Sequence, residues 1–343
     1  MDLIEIEKII VPEMLELLEI RYNILRSIYY NQPVGRRALA HKLNAGERTI
    51  RTEVNILKDW GLLDIESMGM YITEDGKRII DGLKDIIHRI KGISDLENTL
   101  MDILKVDKVL IVSGDSDESG LSLKDMAKTS SLYLKRLIER DSIIGITGGT
   151  TMAQVAEEMP QGQVADNIIV TPARGGLGKD METQSNSIAA KLAKKLECSY
   201  RLLHVPDDID RETLDAVLKI SDIKEVMGLI KNMDILIFGI GRADTMAKRR
   251  QLSPEKIQGL IEKGAVAEAF GHYFDIEGNE IWESLTVGLS LEDFQNIDKL
   301  IGVAGGKNKA KAIISIASLK KNMTIITDEG AARQIISIVK KAI

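Results

Sequence analysis

The chain has 343 residues and a formal net charge of −6; 44% of its residues are hydrophobic and only 4% are aromatic. This length and hydrophobic content favour two domains with large cores, and the single cysteine excludes a disulfide framework and argues against a cysteine-based zinc site. The acidic N-terminus and the lack of a long apolar run exclude a secretory signal and a membrane-spanning helix, so the sequence predicts a cytoplasmic protein without a membrane partner.

The first hundred residues predict a small helical domain with one β-hairpin. A helix starts at Pro12, and two short helices, 36–43 and 47–60, are joined by a glycine-containing turn at 44–46. Two β-like runs within 62–73 then flank a second glycine-containing turn. This order of elements predicts a winged helix-turn-helix.

The second of the two short helices carries side chains suited to DNA contact. Ile50, Val54 and Leu57 share one face at helical spacing, and polar side chains lie roughly opposite. Residues 21–58 hold eight lysines and arginines against two acids, which makes a basic patch in an acidic chain. The candidate DNA-binding residues are Arg36, Arg37, Arg48, Thr49, Arg51, Thr52 and Asn55. A winged helix that serves only as a protein-interaction module is the alternative.

An amphipathic helix at 74–91, capped by Thr73, follows the predicted wing. It is apolar enough to pack on a partner subunit as well as on its own domain, so we expect a homo-oligomer: a dimer, and a tetramer on DNA. Ser94 and Glu97 fit a capping box at the start of the next helix. We therefore place the DNA-binding domain, with this linker helix, at 1–93.

The remaining chain, 94–343, alternates apolar β-like runs with helix-like segments. Runs that are apolar throughout are typical of parallel strands covered on both faces, so the pattern predicts an α/β fold with a Rossmann-like doubly wound sheet. Ligands of such sheets bind beyond the carboxyl ends of the strands. The predicted strands, each with its following turn, are 108–115, 142–149, 167–176, 200–206, 234–241, 300–306 and 324–330.

The stretch 143–159 leads from a strand into a helix through a turn, 147–151, that contains two glycines and three threonines. Glycines let an anion approach the backbone, while the first helical turn and the hydroxyls supply hydrogen-bond donors. A tight turn in which Thr150 merely caps the helix is the alternative. Other predicted strand ends add glycines and cations, namely Arg174, Gly239, Gly241, Gly305, Gly306, Lys307 and Lys309. Together they predict a crevice for a phosphorylated small molecule, although each lysine alone is equally compatible with solvated surface.

The alternation also suits a sugar-phosphate isomerase or deaminase with an appended winged-helix interaction module. Residues 239–247 resemble part of the deaminase pattern, but the ring-opening histidine that follows the second glycine is absent. His272 could approach the crevice, yet nothing pairs it with a base or nucleophile, and Glu268 could equally accept hydrogen bonds from sugar hydroxyls. We therefore predict no catalytic residue, no metal ligand and no cofactor.

Segments distributed over 35–332 are similar to the SorC family of bacterial transcriptional regulators. They include "GRRALAHKL", "SGDSD", "TGGTT", "PARGGLG", "AEAFGHYF" and "TDEGAA". The resemblance implies a sugar-phosphate domain of the isomerase/deaminase type that has lost catalysis. It further implies a repressor that binds the operator DNA of a glycolytic operon and is relieved by the effector fructose 1,6-bisphosphate.

The resemblance also implies which residues bind the effector. These are Gly148, Gly149, Thr150, Thr151, Arg174, Gln184, Arg249, Glu268 and Lys309. Gln184 and Arg249 rest on the resemblance alone. The chain departs from the family pattern at Lys307-Asn308, where smaller residues are typical, and this leaves the roles of Lys307 and Lys309 open.

Overall fold

The computed structural model of the chain describes residues 3–175, 180–205, 211–284 and 287–342. The chain divides into two units, Met1–Asp95 and Leu96–Ile343, each with its own hydrophobic core. Residues 176 and 206, at the ends of two predicted strand-and-turn runs, lie outside the described residues. Within the described ranges, no helix is long and apolar enough to cross a membrane.

The first unit is a winged helix-turn-helix, as predicted. The helix expected at Pro12 begins there, with the proline at its first position, where the missing N–H leaves no bond unmade. Asn44 takes a left-handed conformation in the turn between the two short helices, and the wing is an antiparallel hairpin. The elements are α1 (Leu3–Ile10), α2 (Pro12–Asn31), α3 (Arg36–Lys42), α4 (Glu47–Asp59), β1 (Leu63–Glu66), β2 (Gly69–Ile72) and α5 (Glu74–Ile90).

Two predicted helix caps have opposite outcomes. The Thr73 hydroxyl accepts a hydrogen bond from the Gly76 N–H at 3.0 Å, which confirms the cap of α5. The predicted capping box of Ser94 and Glu97 is wrong, because the next helix, α6 (Ile93–Leu104), already begins one residue before Ser94. The Glu97 carboxylate instead accepts the backbone N–H of Ile111 at 2.7 Å, so a contact distant in sequence replaces the local one.

The second unit contains the predicted parallel sheet, with helices packed on it. Its seven strands are β3 (Lys108–Val112), β4 (Ile143–Ile146), β5 (Ile169–Pro172), β6 (Ser199–Tyr200), β7 (Ile235–Gly239), β12 (Lys299–Val303) and β13 (Met323–Asp328). Their order across the sheet is β3-β13-β12-β7-β4-β5-β6, and all neighbours are parallel. From β4 the chain adds strands on one side, and from β7 it adds them on the other. The topological switch point therefore lies between β4 and β7, which is where such sheets bind ligands.

A second sheet of four antiparallel strands was not predicted. It consists of β8 (Gly241–Arg242), β9 (Ala267–Ala269), β10 (His272–Phe274) and β11 (Glu280–Glu283). Strands of two to four residues are too short to show an alternating pattern in the sequence. The tight β9–β10 connection has positive φ at Phe270 and Gly271.

The remaining helices of the second unit connect and cover these strands. They are α7 (Gly120–Leu137), α8 (Thr150–Glu158), α9 (Ser185–Leu196), α10 (Arg211–Val217), α11 (Ser221–Lys231), α12 (Ala243–Arg249), α13 (Pro254–Glu262), α14 (Leu291–Asn296), α15 (Ala310–Ala317) and α16 (Glu329–Ala342). Two short 3-10 turns, Met181–Thr183 and Lys307–Lys309, precede α9 and α15.

Candidate functional site

A cleft opens beyond the carboxyl ends of β4 and β7. It contains eight of the nine predicted effector-binding residues; Gln184 is the exception, although its neighbours Thr183 and Ser185 line the cleft. The lining residues are Thr147, Gly148, Gly149, Thr150, Thr151, Arg174, Gly175, Thr183, Ser185, Gly239, Ile240, Gly241, Met246, Arg249, Glu268, Phe270 and Lys309.

The loop from β4 into α8 forms one wall of this cleft. Gly149 has a φ of +110°, a conformation that favours glycine, and its N–H donates to the Thr183 carbonyl at 2.8 Å. A Cβ on Gly148 would lie 2.9 Å from the same carbonyl oxygen, so this position also requires glycine. The interpretation of Thr150 as a helix cap is wrong: Gly149 is the capping residue, and no side chain caps α8. The first turn of α8 therefore faces the cleft with its hydroxyl-bearing residues.

Arg174 follows β5 and is buried in the floor of the cleft. The Ser185 hydroxyl donates to its backbone carbonyl at 2.9 Å, and a bridge to Gly288 holds its backbone from the other side. Its guanidinium lies 3.6 Å from the Glu268 carboxylate, and both side chains are less than a tenth exposed. A buried cation of this kind is suited to an anionic ligand group.

Glu268 is held by an arginine that the sequence interpretation missed. The Arg250 guanidinium donates to Glu268 Oε1 at 2.9 Å, and the Gly271 N–H donates to the same oxygen at 2.9 Å. The Arg250 side chain is only 5% exposed and lies behind Glu268 rather than among the lining residues. Its position in the basic run "KRR" was visible in the sequence, but nothing there distinguished it from Arg249.

Arg249, the last residue of α12, lines the cleft. Its guanidinium donates to the Thr183 hydroxyl at 2.8 Å, and the same threonine accepts the Gly149 N–H through its carbonyl. Thr183 thus connects the loop at 147–151 to Arg249. Sequence reasoning did not select Thr183, because it precedes α9 and is brought to the cleft only by folding.

The structure separates the roles of Lys307 and Lys309. The exposed Lys307 ammonium pairs with Glu118 at 2.7 Å and does not line the cleft. Lys309 is partly buried, lines the cleft and has no ion-pair partner within 4 Å in the described part of the chain. Burial lowers the pKa of the Lys309 ammonium, and the nearby carboxylates of Asp117 and Asp328 oppose this shift.

A buried carboxylate shapes the loop that carries Lys309. Asp328, at the end of β13, accepts the N–H groups of Ser116, Gly306 and Ala331 and also the Ser116 hydroxyl. Burial raises the pKa of Asp328, and these hydrogen bonds work against the shift. A Cβ on Gly306, where φ is +93°, would lie 2.4 Å from the Asp117 carboxylate. Hydrogen bonds to Asp328 therefore fix the loop after β12, and Lys309 in that loop lines the cleft.

His272 lies outside the cleft. Its Nδ1 is 2.5 Å from Glu280 Oε1, and its Nε2 is 3.9 Å from Glu283 Oε1. The three residues hold possible metal-ligand atoms within 4.8 Å of one another, but the shortest distance is that of a hydrogen bond and the two carboxylates face opposite ring nitrogens. We interpret the group as a histidine–glutamate pair of β10 and β11.

The predicted DNA-binding residues lie on one exposed surface formed by α3 and α4. Ile50, Val54 and Leu57 are buried, as predicted. Arg36 is partly buried and donates to Asn55 at 3.2 Å. The exposed members are Arg37, Arg48, Thr49, Arg51, Thr52 and Asn55.

Not all of the charged residues counted over 21–58 contribute to an exposed basic patch. Glu53, counted among the opposing acids, is buried in α4 and pairs with Arg21 at 2.7 Å. Arg26 is also buried. The positive charge available to a partner is therefore concentrated on α3 and on the exposed side of α4.

Two family models match the chain. The model described as "Putative sugar-binding domain" covers residues 88–337, and the one described as "CggR N-terminal DNA binding domain" covers residues 17–87. The first model includes every residue of the cleft, and the second includes the exposed surface of α3 and α4.

Relatives and solved structures agree with these matches. The chain is 39% identical to the central glycolytic genes regulator of Priestia megaterium, over 97% of this chain and 98% of that protein. It is 37% identical to the central glycolytic genes regulator of Bacillus subtilis, over 97% of this chain and 98% of that protein. A structure described as a "putative SorC family transcriptional regulator" from Enterococcus faecalis matches at 37% identity and a TM-score of 0.65, covering 71% of this chain and 99% of that chain.

The full-length sorbitol operon regulator SorC of Klebsiella pneumoniae shares the fold, with a TM-score of 0.63 at 17% identity over 91% of this chain and 97% of that chain. These relatives are named as regulators, and the chain itself matches a DNA-binding and a sugar-binding model, so the interpretation as an isomerase or deaminase is set aside. The chain belongs to the SorC family of bacterial transcriptional regulators and is not an enzyme.

Proposed function

We propose that this chain represses a glycolytic operon and that fructose 1,6-bisphosphate is its inducer. The two relatives at 37–39% identity are both named for central glycolytic genes, and they align over nearly the whole chain. In this assignment residues 1–93 bind the operator and carry the linker helix α5, and residues 94–343 bind the effector and contribute to oligomerisation. The α4 helix would enter the major groove, with the neighbouring α3 against the backbone.

The placement of cations in the cleft is the observation that supports a bisphosphate. Among the described residues, three cationic side chains and one carboxylate line the cleft: Arg174, Arg249 and Lys309, and Glu268. Arg174 follows β5 and Lys309 follows β12, three strand positions apart in the sheet. At about 4.8 Å per strand, β5 and β12 are separated by roughly 14 Å, and both side chains line the cleft. Cations that follow two such separated strands suit a ligand that carries two anionic groups.

The remaining roles follow from position. The glycines and hydroxyls at the start of α8 would donate hydrogen bonds to one phosphate, together with Arg174 and Arg249, and Lys309 would attract the other. Glu268 would accept hydrogen bonds from sugar hydroxyls. Gln184 stays a proposed ligand residue on family resemblance alone. The proposed effector-binding set is Gly148, Gly149, Thr150, Thr151, Arg174, Gln184, Arg249, Glu268 and Lys309.

We also propose that the regulator acts as a dimer, and as a tetramer on DNA. A single winged helix contacts only a short site, so paired half-sites need paired subunits. Ile80 and Ile87 of α5 are buried in the first unit, while Ile79 and Ile86 are 42% and 39% exposed. These two exposed residues are seven positions apart and thus share a face of the helix. That face is our candidate for a subunit contact.

Titration of the purified chain onto the DNA upstream of its own gene tests the proposed function. We expect fructose 1,6-bisphosphate to weaken operator binding and fructose 6-phosphate, with one phosphate, to act much less. Operator binding that is the same with and without either sugar phosphate would overturn the proposed effector.

We expect the affinity for fructose 1,6-bisphosphate to fall as pH rises through the pKa of the Lys309 ammonium, which burial places below the ordinary lysine value of 10.5. Above about pH 7.5 both phosphates are fully ionised, because their second pKa is about 6. A nearby phosphate favours the charged ammonium of Lys309, so binding is complete below the pKa of the free protein's ammonium and weakens above it. Since burial lowers this pKa, the loss should begin at a lower pH than for an exposed lysine. Calorimetric titration at several pH values measures the dependence.

Two variants control this measurement. Lys309→Arg keeps its charge over the whole range and should flatten the pH profile. Lys307→Ala removes a surface lysine paired with Glu118 and should leave the profile of the unmodified chain unchanged. A profile that Lys309→Arg does not alter would show that this ammonium does not bind the effector.

A further inference from the structure

The two carboxylate oxygens of Glu268 have different surroundings. Oε1 accepts hydrogen bonds from Arg250 and from the Gly271 N–H, both at 2.9 Å, and the Arg174 guanidinium lies 3.6 Å from it. Among the described residues, no donor contacts Oε2. The carboxylate also lines the effector cleft. One oxygen is therefore occupied by the protein, and the other can accept hydrogen bonds from a ligand.

We propose that Arg250 is a positioning residue that determines effector specificity. It holds Glu268 so that Oε2 accepts hydrogen bonds from hydroxyl groups of the bound sugar. This inference rests on the proposed function, because it assigns the recognition of the sugar part of the effector, whereas the lining cations bind its phosphates. Arg250 does not line the cleft, so any effect it has on ligand recognition passes through Glu268, which does.

The burial of Arg250 and Glu268 restricts the orientation of the Glu268 carboxylate. The side chains of Arg250 and Glu268 are each 5% exposed, so water cannot easily replace either partner. Gly271, with a φ of +100°, closes the β9–β10 turn and directs its N–H at the same oxygen. With Oε1 held from two directions, the carboxylate cannot turn to form a two-pronged ion pair with Arg174. The Arg174 guanidinium can therefore still contact a ligand phosphate.

A site arranged in this way should reject anions that lack hydroxyls. A bisphosphate without hydroxyl groups would bury Oε2 against carbon and leave a charged acceptor without a partner, which is costly. Sites built to hydrogen-bond a ligand hydroxyl discriminate strongly against analogues that lack it. The expected specificity is for a hydroxyl-bearing bisphosphate, set by one carboxylate oxygen and the arginine behind it.

The test compares two probes of similar length, fructose 1,6-bisphosphate and 1,6-hexanediol bisphosphate. Calorimetry would give the dissociation constants of both for the unmodified chain, Arg250→Met, Arg250→Lys and Glu268→Gln. We expect the unmodified chain to prefer the sugar. Arg250→Met should lower the affinity for the sugar bisphosphate by about tenfold or more, and it should change the affinity for the hydroxyl-free probe by about twofold or less. Glu268→Gln should lower the preference in the same way, and adding Arg250→Met to it should cause little further loss.

Arg250→Lys keeps the positive charge but loses the forked donor geometry of the guanidinium, so we expect an intermediate preference for the sugar bisphosphate. This variant also provides a test if Arg250→Met does not fold. Arg201→Met breaks an exposed arginine–glutamate pair of the same unit, at 3.0 Å from Glu225, and should keep the preference. Thermal unfolding and effector-free operator binding confirm that each variant is folded. Equal losses for both probes, or an unchanged preference, would overturn the role of Arg250. If the unmodified chain does not bind the sugar bisphosphate, the proposed function fails, and this inference fails with it.

Discussion

Replacing both Arg48 and Arg51 by alanine should weaken operator binding by about 2–6 kcal/mol, which is about 30-fold at the lower end. Both arginines are on the exposed surface of α4, while the opposite side of that helix is buried in the core of the first unit. An arginine that contacts a base contributes about 1–3 kcal/mol, and one that contacts only phosphate contributes to the salt dependence instead. Affinity measured at several salt concentrations separates the two roles, because each lost phosphate contact lowers the salt slope by about one.

The control for this pair is Arg78→Ala. Arg78 is an exposed arginine of α5 that pairs with Asp75 on its own helix, outside the α3–α4 surface. The substitution removes one positive charge from the same unit and should change operator affinity little. Operator affinity that is unchanged in the Arg48→Ala, Arg51→Ala chain would show that α4 is not the recognition helix.

Replacing Arg174 by alanine should lower the affinity for fructose 1,6-bisphosphate about 10- to 150-fold, because each charge-assisted hydrogen bond contributes about 1.5–3 kcal/mol. Glu268 keeps its bond to Arg250 in this variant, so the measured loss reflects the ligand rather than a carboxylate left without a partner. Calorimetric titration of the folded variant measures the change. Operator binding without effector should be unaffected.

Arg201→Ala is the control for Arg174→Ala. Arg201 is an exposed arginine of the same unit that pairs with Glu225 at 3.0 Å and does not line the cleft. Its removal should leave effector affinity within about twofold, as expected for an arginine that does not contact the ligand. Equal effects of the two substitutions would mean that Arg174 has no specific contact with the effector.

The parts of the fold that could be predicted are those with a strong local signal. The helix of the winged domain that carries Ile50, Val54 and Leu57 has one apolar face, and its burial follows from that spacing. The strands of the large sheet are apolar along their whole length because both faces are covered, and so they stand out in the sequence. The loop at 147–151 was recognisable because a strand ends in glycines where a helix begins.

The parts that were missed depend on contacts between residues far apart in the chain. Ser94 and Glu97 match a capping box locally, yet Glu97 bonds to the backbone of Ile111 in β3. Arg250 becomes important only because the β9–β10 turn places Glu268 beside it. No local pattern announces either contact, since each requires the sheet to have formed.

Lys307 and Lys309, two positions apart, also could not be distinguished from the local sequence. Both follow the strand end at 299–303, and the sequence offered no reason to prefer one as a ligand residue. The carboxylate of Glu118, which is distant in sequence, pairs with Lys307 and leaves Lys309 at the cleft. The loop conformation that separates them depends on Asp328, a buried residue of another strand.

Effector affinity measured with and without saturating operator tests most directly whether the two domains act as one ligand-controlled repressor. If effector and operator favour different arrangements of the subunits, each weakens the other by the same factor, which is typically about 5- to 150-fold. Calorimetric titration of fructose 1,6-bisphosphate into the free chain and into its operator complex, with sedimentation of both, measures that factor and the subunit number. We predict a weaker effector affinity in the operator complex, by the same factor with which the effector weakens operator binding. Equal effector affinities in the two conditions would contradict the coupling and with it the proposed repressor mechanism.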